Sequence, residues 1–109
     1  MHQRITSLHE NDEHGNPAGG VTEGVGIKIT WQNGPLGRGE HRIDPNGAFV
    51  EGVIAAAIDR IQYYQTASKG KFKCRENALA ITKLEEALHW LDHRTQDREK
   101  RQVEGTHTP

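Results

Sequence analysis

The feature that most constrains the fold is a pair of helical apolar stripes separated by a short basic break. In the first stripe, Ile54, Ile58 and Ile61 recur at steps of three and four residues, the spacing of one helix face. The second stripe has the same spacing and contains Ile81, Leu84, Leu88 and Leu91. The sequence therefore predicts one helix over about residues 47–66 and a second over about 75–101, joined as a helical hairpin.

The segment before the hairpin alternates in the way that a half-buried strand does. Ile27, Ile29 and Trp31 face one side, while Lys28 and Thr30 face the other. A second short strand is predicted near residues 41–43, which gives a small antiparallel sheet over about residues 25–43. Asp44-Pro45 then suits a helix start, with an acidic cap before proline.

The predicted fold class is therefore α+β, with a small antiparallel sheet packed on a long two-helix hairpin. Residues 1–23 are rich in turn-forming types and have no period, so we expect a flexible or irregular segment there. Residues 24–109 are expected to form a single domain that ends in an extended C-terminal tail.

A shortage of apolar side chains limits the core that this chain can bury. Hydrophobic residues make up 33% of the 109 residues, against about 45–50% in ordinary soluble domains. The single cysteine, Cys74, excludes an internal disulfide, and no apolar run approaches the roughly 20 residues of a membrane helix. Tyr63 and Trp90 also lie off the apolar stripes, so we expect them to be covered by a partner chain or to stack on a ligand. Self-association is predicted.

The charge pattern favours a small anionic ligand over a long polyanion. A net charge of -1 argues against sequence-blind DNA binding, while basic residues crowd into 69–75 and 94–101. His89 and His93 are one helical turn apart, but no spacing places a third metal ligand. The residues alone favour an oligomeric binding module, with a hydrolase that uses His89 or His93 as acid and base as the alternative.

Four segments in order resemble one family of phage proteins. They are ITWQNGPLGRG, NGAFVEGVIAAAIDRIQYYQ, CRENALAITKLEEALHWLDHRT and DREKRQVEGTH, which together cover about residues 27–107. These segments resemble the Tad1 family of phage anti-Thoeris sponge proteins. The part ENALAITKLEEALHW also resembles the helical hairpin of the Acb2 anti-CBASS family.

The resemblance implies a sponge and no enzyme. Such proteins bind cyclic ADP-ribose isomers made by Thoeris TIR proteins, the 1''-2' or 1''-3' glyco-cyclic ADP-ribose, and hold them undegraded. Some relatives also capture CBASS cyclic di- or trinucleotides and assemble as dimers or hexamers. The implied setting is the cytoplasm of the infected bacterial host, with no cofactor, metal, DNA or membrane partner.

The resemblance also implies a ligand site made of arginines, an asparagine and an aromatic side chain, lying between protomers. The matching positions are Arg38, Tyr63, Tyr64, Phe72, Arg75, Asn77, Arg94 and Arg98. Guanidinium groups suit the two phosphates of the ligand and an aromatic face suits its adenine. Which of Tyr63, Tyr64 and Phe72 stacks on the adenine is left open.

Overall fold

A computed structural model, described here for residues 4–109, confirms the α+β class. Its elements are β1 (Ile5–Asn11), β2 (Pro17–Gly24), β3 (Ile27–Asn33), a 3-10 turn (Gly39–His41), α1 (Val50–Gly70) and α2 (Arg75–Lys100). The chain divides into two compact units. The sheet unit comprises the residues up to Phe49 together with Arg98–Pro109, and the hairpin unit comprises Val50–Asp97.

The sheet has three antiparallel strands in the order β1-β2-β3. Ser7, Thr22 and Trp31 lie on one face of the sheet. Thr22 is buried, and its hydroxyl accepts a hydrogen bond from Trp31 Nε1 at 2.7 Å and lies 2.9 Å from the Ser7 hydroxyl. This polar network does part of the packing that apolar residues do in a richer sheet.

The expectation of an irregular segment over residues 1–23 is wrong for most of its length, because β1 and most of β2 lie there; residues 1–3 lie outside the described part. Asp12 closes the connecting turn, since its Oδ1 accepts the backbone N–H groups of His14 and Asn16, both at 2.9 Å. Gly20 permits the close pairing of the strands. A Cβ there would lie 2.1 Å from the Leu8 carbonyl oxygen.

The predicted strand near residues 41–43 is also wrong, because a 3-10 turn at Gly39–His41 takes its place. Residues 46–48 pair with the free edge of β3 instead, although the first helix is predicted to begin at about residue 47. Ala48 N–H donates to the Thr30 carbonyl at 2.7 Å, and Gln32 N–H donates to the Ala48 carbonyl at 3.0 Å. Asn46 Oδ1 accepts Asn33 N–H at 2.8 Å. These bonds delay the start of α1 to Val50, three residues later than the predicted start at 47.

In the hairpin unit, α1 ends in a tight turn where Ala67 leaves helical dihedral angles and Ser68 and Lys69 adopt positive φ values of 50° and 60°. α2 then spans Arg75–Lys100, where the sequence predicts 75–101. Ile58 is the one apolar side chain that counts as buried in residues 4–109, with 9% of its surface exposed. Across these residues, no helix has the length and apolar character needed to cross a membrane.

Candidate functional site

Two arginines from the loop after β3 hold the C-terminal tail of the sheet unit. Arg42 makes a bidentate salt bridge with the Glu104 carboxylate, in which Nη1 lies 2.7 Å from Oε2 and Nη2 lies 3.0 Å from Oε1. Arg38 Nη1 donates to the Glu104 carbonyl oxygen at 3.2 Å. Gly37 N–H donates to the Gly105 carbonyl at 2.8 Å. A Cβ on Gly105 would lie 2.3 Å from the Gly37 carbonyl oxygen, so the two backbones meet closely.

Arg98 fastens the same tail from the end of α2. Its Nη2 donates to the carbonyl oxygens of Val103, Thr106 and Thr108 at 3.3, 2.8 and 3.0 Å. The side chain is half-buried, and its Nε is buried without a hydrogen-bond partner. The sequence predicts Arg98 as a ligand contact, and the structure gives it a structural task in the tail.

We name Arg38, Arg42 and Arg98 the arginine cluster. Hydrogen bonding to Arg42 lowers the pKa of the Glu104 carboxyl below its ordinary value. Burial opposes this as the second-largest effect, and the positive charges of Arg42, Arg38 and Arg98 each lower this pKa further by a smaller amount. Glu99 is a second carboxylate whose charge acts on Arg42. Arg42 pairs with the Glu104 carboxylate, whereas Arg38 and Arg98 donate to carbonyl oxygens of the tail.

In the hairpin unit, two predicted aromatic residues share one arginine. The guanidinium carbon of Arg60 lies 4.9 Å from the ring centre of Tyr63 and 5.0 Å from that of Tyr64. Its Nε donates to the Tyr64 hydroxyl at 3.2 Å. Both rings remain accessible, with 54% of Tyr63 and 40% of Tyr64 exposed. A cation flanked by two aromatic rings is a surface on which a flat, electron-rich base can stack.

A second group of predicted residues surrounds the turn between α1 and α2. Phe72 is 55% exposed, and Lys71 Nζ lies 5.4 Å from its ring centre. Asn77 is half-buried, and its Nδ2 donates to the Phe72 carbonyl at 3.5 Å. Arg75 is exposed in the first turn of α2. The turn therefore brings an aromatic ring, an amide and cations together.

Arg94 lies far from this turn, although it is on the same helix as Asn77. Seventeen residues separate the two positions in the sequence, which corresponds to about 25 Å at 1.5 Å per residue. Arg94 is exposed near the other end of α2. One small ligand cannot touch Asn77 and Arg94 of the same protomer.

The two histidines of the alternative hydrolase hypothesis flank Trp90. The Trp90 ring centre lies 5.7 Å from that of His89 and 5.9 Å from that of His93, in edge-on arrangements. Trp90 is 67% exposed. Within residues 4–109, no group of three or more His, Cys, Asp or Glu side chains is placed to hold a metal ion.

Comparison of the sequence with known proteins points to one family. The sequence model described as "Acb2/Tad1, hairpin domain" matches residues 23–96, about two thirds of the chain. The chain belongs to the Acb2/Tad1 hairpin family. It is also 53% identical, over 79 residues, to Thoeris anti-defense 1 of Bacillus phage SBSphiJ7. That alignment covers 72% of this chain and 51% of the relative, so this chain matches about half the length of that protein.

The Acb2/Tad1 match includes β3, α1 and most of α2. Seven of the eight predicted site residues lie within it, and Arg98 lies beyond its end. The tail residue Glu104 is also outside the matched range. The tail that the arginine cluster holds therefore lies outside the range that the Acb2/Tad1 hairpin model matches.

Sequence reasoning missed four polar residues, two in the sheet unit and two in the hairpin unit. Arg42 and Glu104 are 62 residues apart, and no periodic pattern connects such positions. Arg60 could have been found, because Tyr63 and Tyr64 follow it at the three- and four-residue spacing of neighbours on a helix surface. The Gln65 side chain bonds to Cys74 across the turn between α1 and α2, a contact that no periodic pattern reveals.

Glu104→Gln tests the contribution of the arginine cluster to the tail. Because the pKa of Glu104 is lowered in the folded chain, its charge stabilises the fold above the ordinary value of 4.5. That stabilisation is lost as the pH falls through the lowered value. We expect Glu104→Gln to lower the Tm at about pH 7, and the difference in Tm from wild type to shrink as the pH falls below 4.5 and through the lowered pKa.

The matched control is Glu40→Gln in the neighbouring turn, since the Glu40 side chain is exposed and lies 3.9 Å from His41 Nε2. Thermal unfolding followed by circular dichroism across the pH range decides the matter. If the difference in Tm between wild type and Glu104→Gln stayed the same at low pH, the stabilising role of the Glu104 charge would be contradicted.

Proposed function

We propose that this chain binds and sequesters cyclic ADP-ribose isomers made by Thoeris TIR proteins, without degrading them, in the cytoplasm of the infected bacterial host. The observation that carries the proposal is the 53% identity to a phage protein named Thoeris anti-defense 1. The accessible aromatic, amide and guanidinium groups of the hairpin unit support it, because six of the predicted ligand residues lie there.

The chemistry of the ligand suits these groups one by one. Cyclic ADP-ribose carries two phosphates, which bind planar guanidinium forks such as those of Arg75 and Arg94. Its adenine stacks on an aromatic face, for which Tyr63, Tyr64 and Phe72 are the candidates. The amide of Asn77 can pair with a base edge or a ribose hydroxyl. Binding of this kind needs no nucleophile, metal or cofactor.

Arg38 and Arg98 enter the proposal through the arginine cluster. Guanidinium groups bind phosphate oxygens, so this cluster suits a phosphate near the sheet unit. Arg38 is exposed and makes one bond to a backbone carbonyl, so its remaining donors can reach an anion. For Arg98, Nη2 already holds three carbonyl groups of the tail, and we propose that it acts on the ligand by keeping the tail in place.

The proposed assembly is at least a dimer, with a hexamer as the larger alternative. The distance between Asn77 and Arg94 supports this, because one pocket can contain both only if they come from different protomers. Two α2 helices that cross antiparallel would bring Asn77 of one protomer to Arg94 of its partner, and a two-fold axis would create two such pockets. The sparse burial of apolar side chains and the exposure of Trp90 also favour a partner surface.

The direct test mixes the protein with 1''-2' or 1''-3' glyco-cyclic ADP-ribose, removes unbound ligand, heats the complex and analyses the released material by chromatography. We expect the free signal to be depleted and then recovered intact after heating. Recovery of a hydrolysed product would support the hydrolase hypothesis instead. Parallel titrations with cyclic di- and trinucleotides decide whether CBASS signals are also ligands.

A mixing experiment tests whether Asn77 and Arg94 share a pocket across the interface. Asn77→Ala protein alone and Arg94→Ala protein alone should each bind weakly, since each pocket lacks one partner. In a heterodimer of the two variants, one pocket is intact and the other is doubly damaged. We expect calorimetry of the mixture to recover up to half of the wild-type sites in those heterodimers.

Lys100→Ala is the control for a change of charge near the exposed end of α2, and it should leave binding close to wild type. Native mass spectrometry verifies that heterodimers have formed. If they form and no sites are recovered, Asn77 and Arg94 do not contribute to the same pocket.

A further inference from the structure

The side-chain amide of Gln65 makes two hydrogen bonds to one backbone position across the turn between α1 and α2. Gln65 Oε1 accepts the Cys74 N–H at 3.0 Å, and Gln65 Nε2 donates to the Cys74 carbonyl at 3.1 Å. A carboxamide that satisfies both polar groups of a single residue copies the pairing of a β-bridge. Its two bonds fix both the distance and the rotation of that residue.

The turn that this amide spans does not have a relaxed backbone. Ser68 and Lys69 both have positive φ values, which β-carbon-bearing residues seldom adopt, and Gly70 follows at +85°. Short backbone bonds link the turn internally, from Lys71 N–H to the Ser68 carbonyl at 3.2 Å and from Lys73 N–H to the Gly70 carbonyl at 3.1 Å. A conformation of this kind persists only when its surroundings hold it. Gln65 supplies such a contact from α1.

Cys74 is the residue from which α2 begins. It directly precedes Arg75, and its carbonyl also accepts the Ala78 N–H at 3.3 Å, as the cap residue of a helix does. Holding Cys74 therefore sets where the first turn of α2 starts and how it is rotated about the helix axis. Arg75 and Asn77 belong to that first turn.

Phe72 is connected to the same arrangement, because its carbonyl accepts the Asn77 Nδ2 hydrogen at 3.5 Å. Three of the predicted ligand residues thus lie within three positions of Cys74 along the chain. A helix side chain moves through a large arc for a modest change in helix start, at about 100° per residue. Accurate placement of these groups depends on the position of Cys74.

We propose that Gln65 is a positioning residue for ligand capture, which acts through Cys74 to fix Phe72, Arg75 and Asn77. The inference rests on the proposed function for its consequence in binding, while the clamp between Gln65 and Cys74 can be measured without any ligand. The ligand class is the cyclic ADP-ribose isomers already named. The Gln65 side chain is half-buried and contacts the backbone, so its action on the ligand is through the turn.

The test compares Gln65→Leu, which loses both bonds, with Gln65→Glu, which keeps an acceptor for the Cys74 N–H and loses the donor. Gln62 lies one helical turn earlier and is exposed, so Gln62→Leu and Gln62→Glu are controls matched in shape and charge. Calorimetry with 1''-2' glyco-cyclic ADP-ribose is run well below the Tm of every variant. We expect Gln65→Leu to raise the Kd about tenfold, with a smaller rise for Gln65→Glu and little change for the controls.

A double-mutant cycle separates positioning from a general loss of stability. If Gln65 acts by placing Asn77, then Gln65→Leu should cost less affinity in an Asn77→Ala background than in wild type. Independent effects would add. Wild-type affinity in Gln65→Leu, or strict additivity with Asn77→Ala, would overturn the inference.

Amide hydrogen exchange at Cys74 reads the clamp directly. We expect faster exchange in Gln65→Leu than in Gln62→Leu, because the Cys74 N–H loses its acceptor. This readout remains available if wild-type protein does not bind the cyclic nucleotide, an outcome that would reject the proposed function. Unchanged exchange at Cys74 would reject the clamp itself. If Gln65→Leu fails to fold, Gln65→Glu and its Gln62→Glu control carry both measurements.

Discussion

Because apolar side chains are scarce, this chain holds its irregular segments in place mainly with hydrogen bonds and salt bridges from polar side chains. Ile58 is the one apolar side chain that counts as buried within residues 4–109. The sheet unit uses the Thr22 hydroxyl between Ser7 and Trp31 and the two-armed bond from Arg42 to Glu104. The hairpin unit uses the Gln65 amide on Cys74. Because such bonds are directional, they define positions well even where little surface is buried.

The shortage of apolar side chains also explains why many side chains that could bind a ligand remain accessible to solvent. Tyr63, Phe72 and Trp90 are each more than half exposed, as are several aliphatic side chains. Accessible aromatic rings beside cations suit a ligand that combines a base with phosphates. Surfaces of that kind suit the sequestration that we propose, which needs no reactive nucleophile.

The sequence predicted the elements whose signal is periodic and local. α2 has four apolar residues at regular helical spacing, and β3 alternates through Ile27, Ile29 and Trp31, so both were located to within two residues. β1 and β2 were missed because their signal is weak. β2 contains Gly19 and Gly20 at positive φ, which resembles turn sequence, and the seven residues of β1 are all exposed.

The remaining misses concern contacts between distant or unrelated positions. The start of α1 moved because residues 46–48 bond to β3, a choice that capping preferences at Asp44 and Pro45 cannot reveal. The contact between Arg42 and Glu104 depends on how the loop after β3 meets the C-terminal tail. The hydrogen bonds from Arg98 to the tail carbonyls depend in the same way on the path of the tail. The aromatic and amide candidates in the hairpin came from the family resemblance, and helical spacing singled out only Tyr63 among the aromatic ones, as a residue off the apolar stripe.

The central claim is that this chain holds an intact cyclic nucleotide in pockets shared between protomers. Native mass spectrometry of the protein with glyco-cyclic ADP-ribose measures assembly, stoichiometry and ligand mass in one experiment. We expect dimers or multiples of dimers that carry two ligands per dimer, each with its mass unchanged after release. A ligand-bound monomer would contradict the shared pocket, and a released ligand heavier by one water would contradict sequestration.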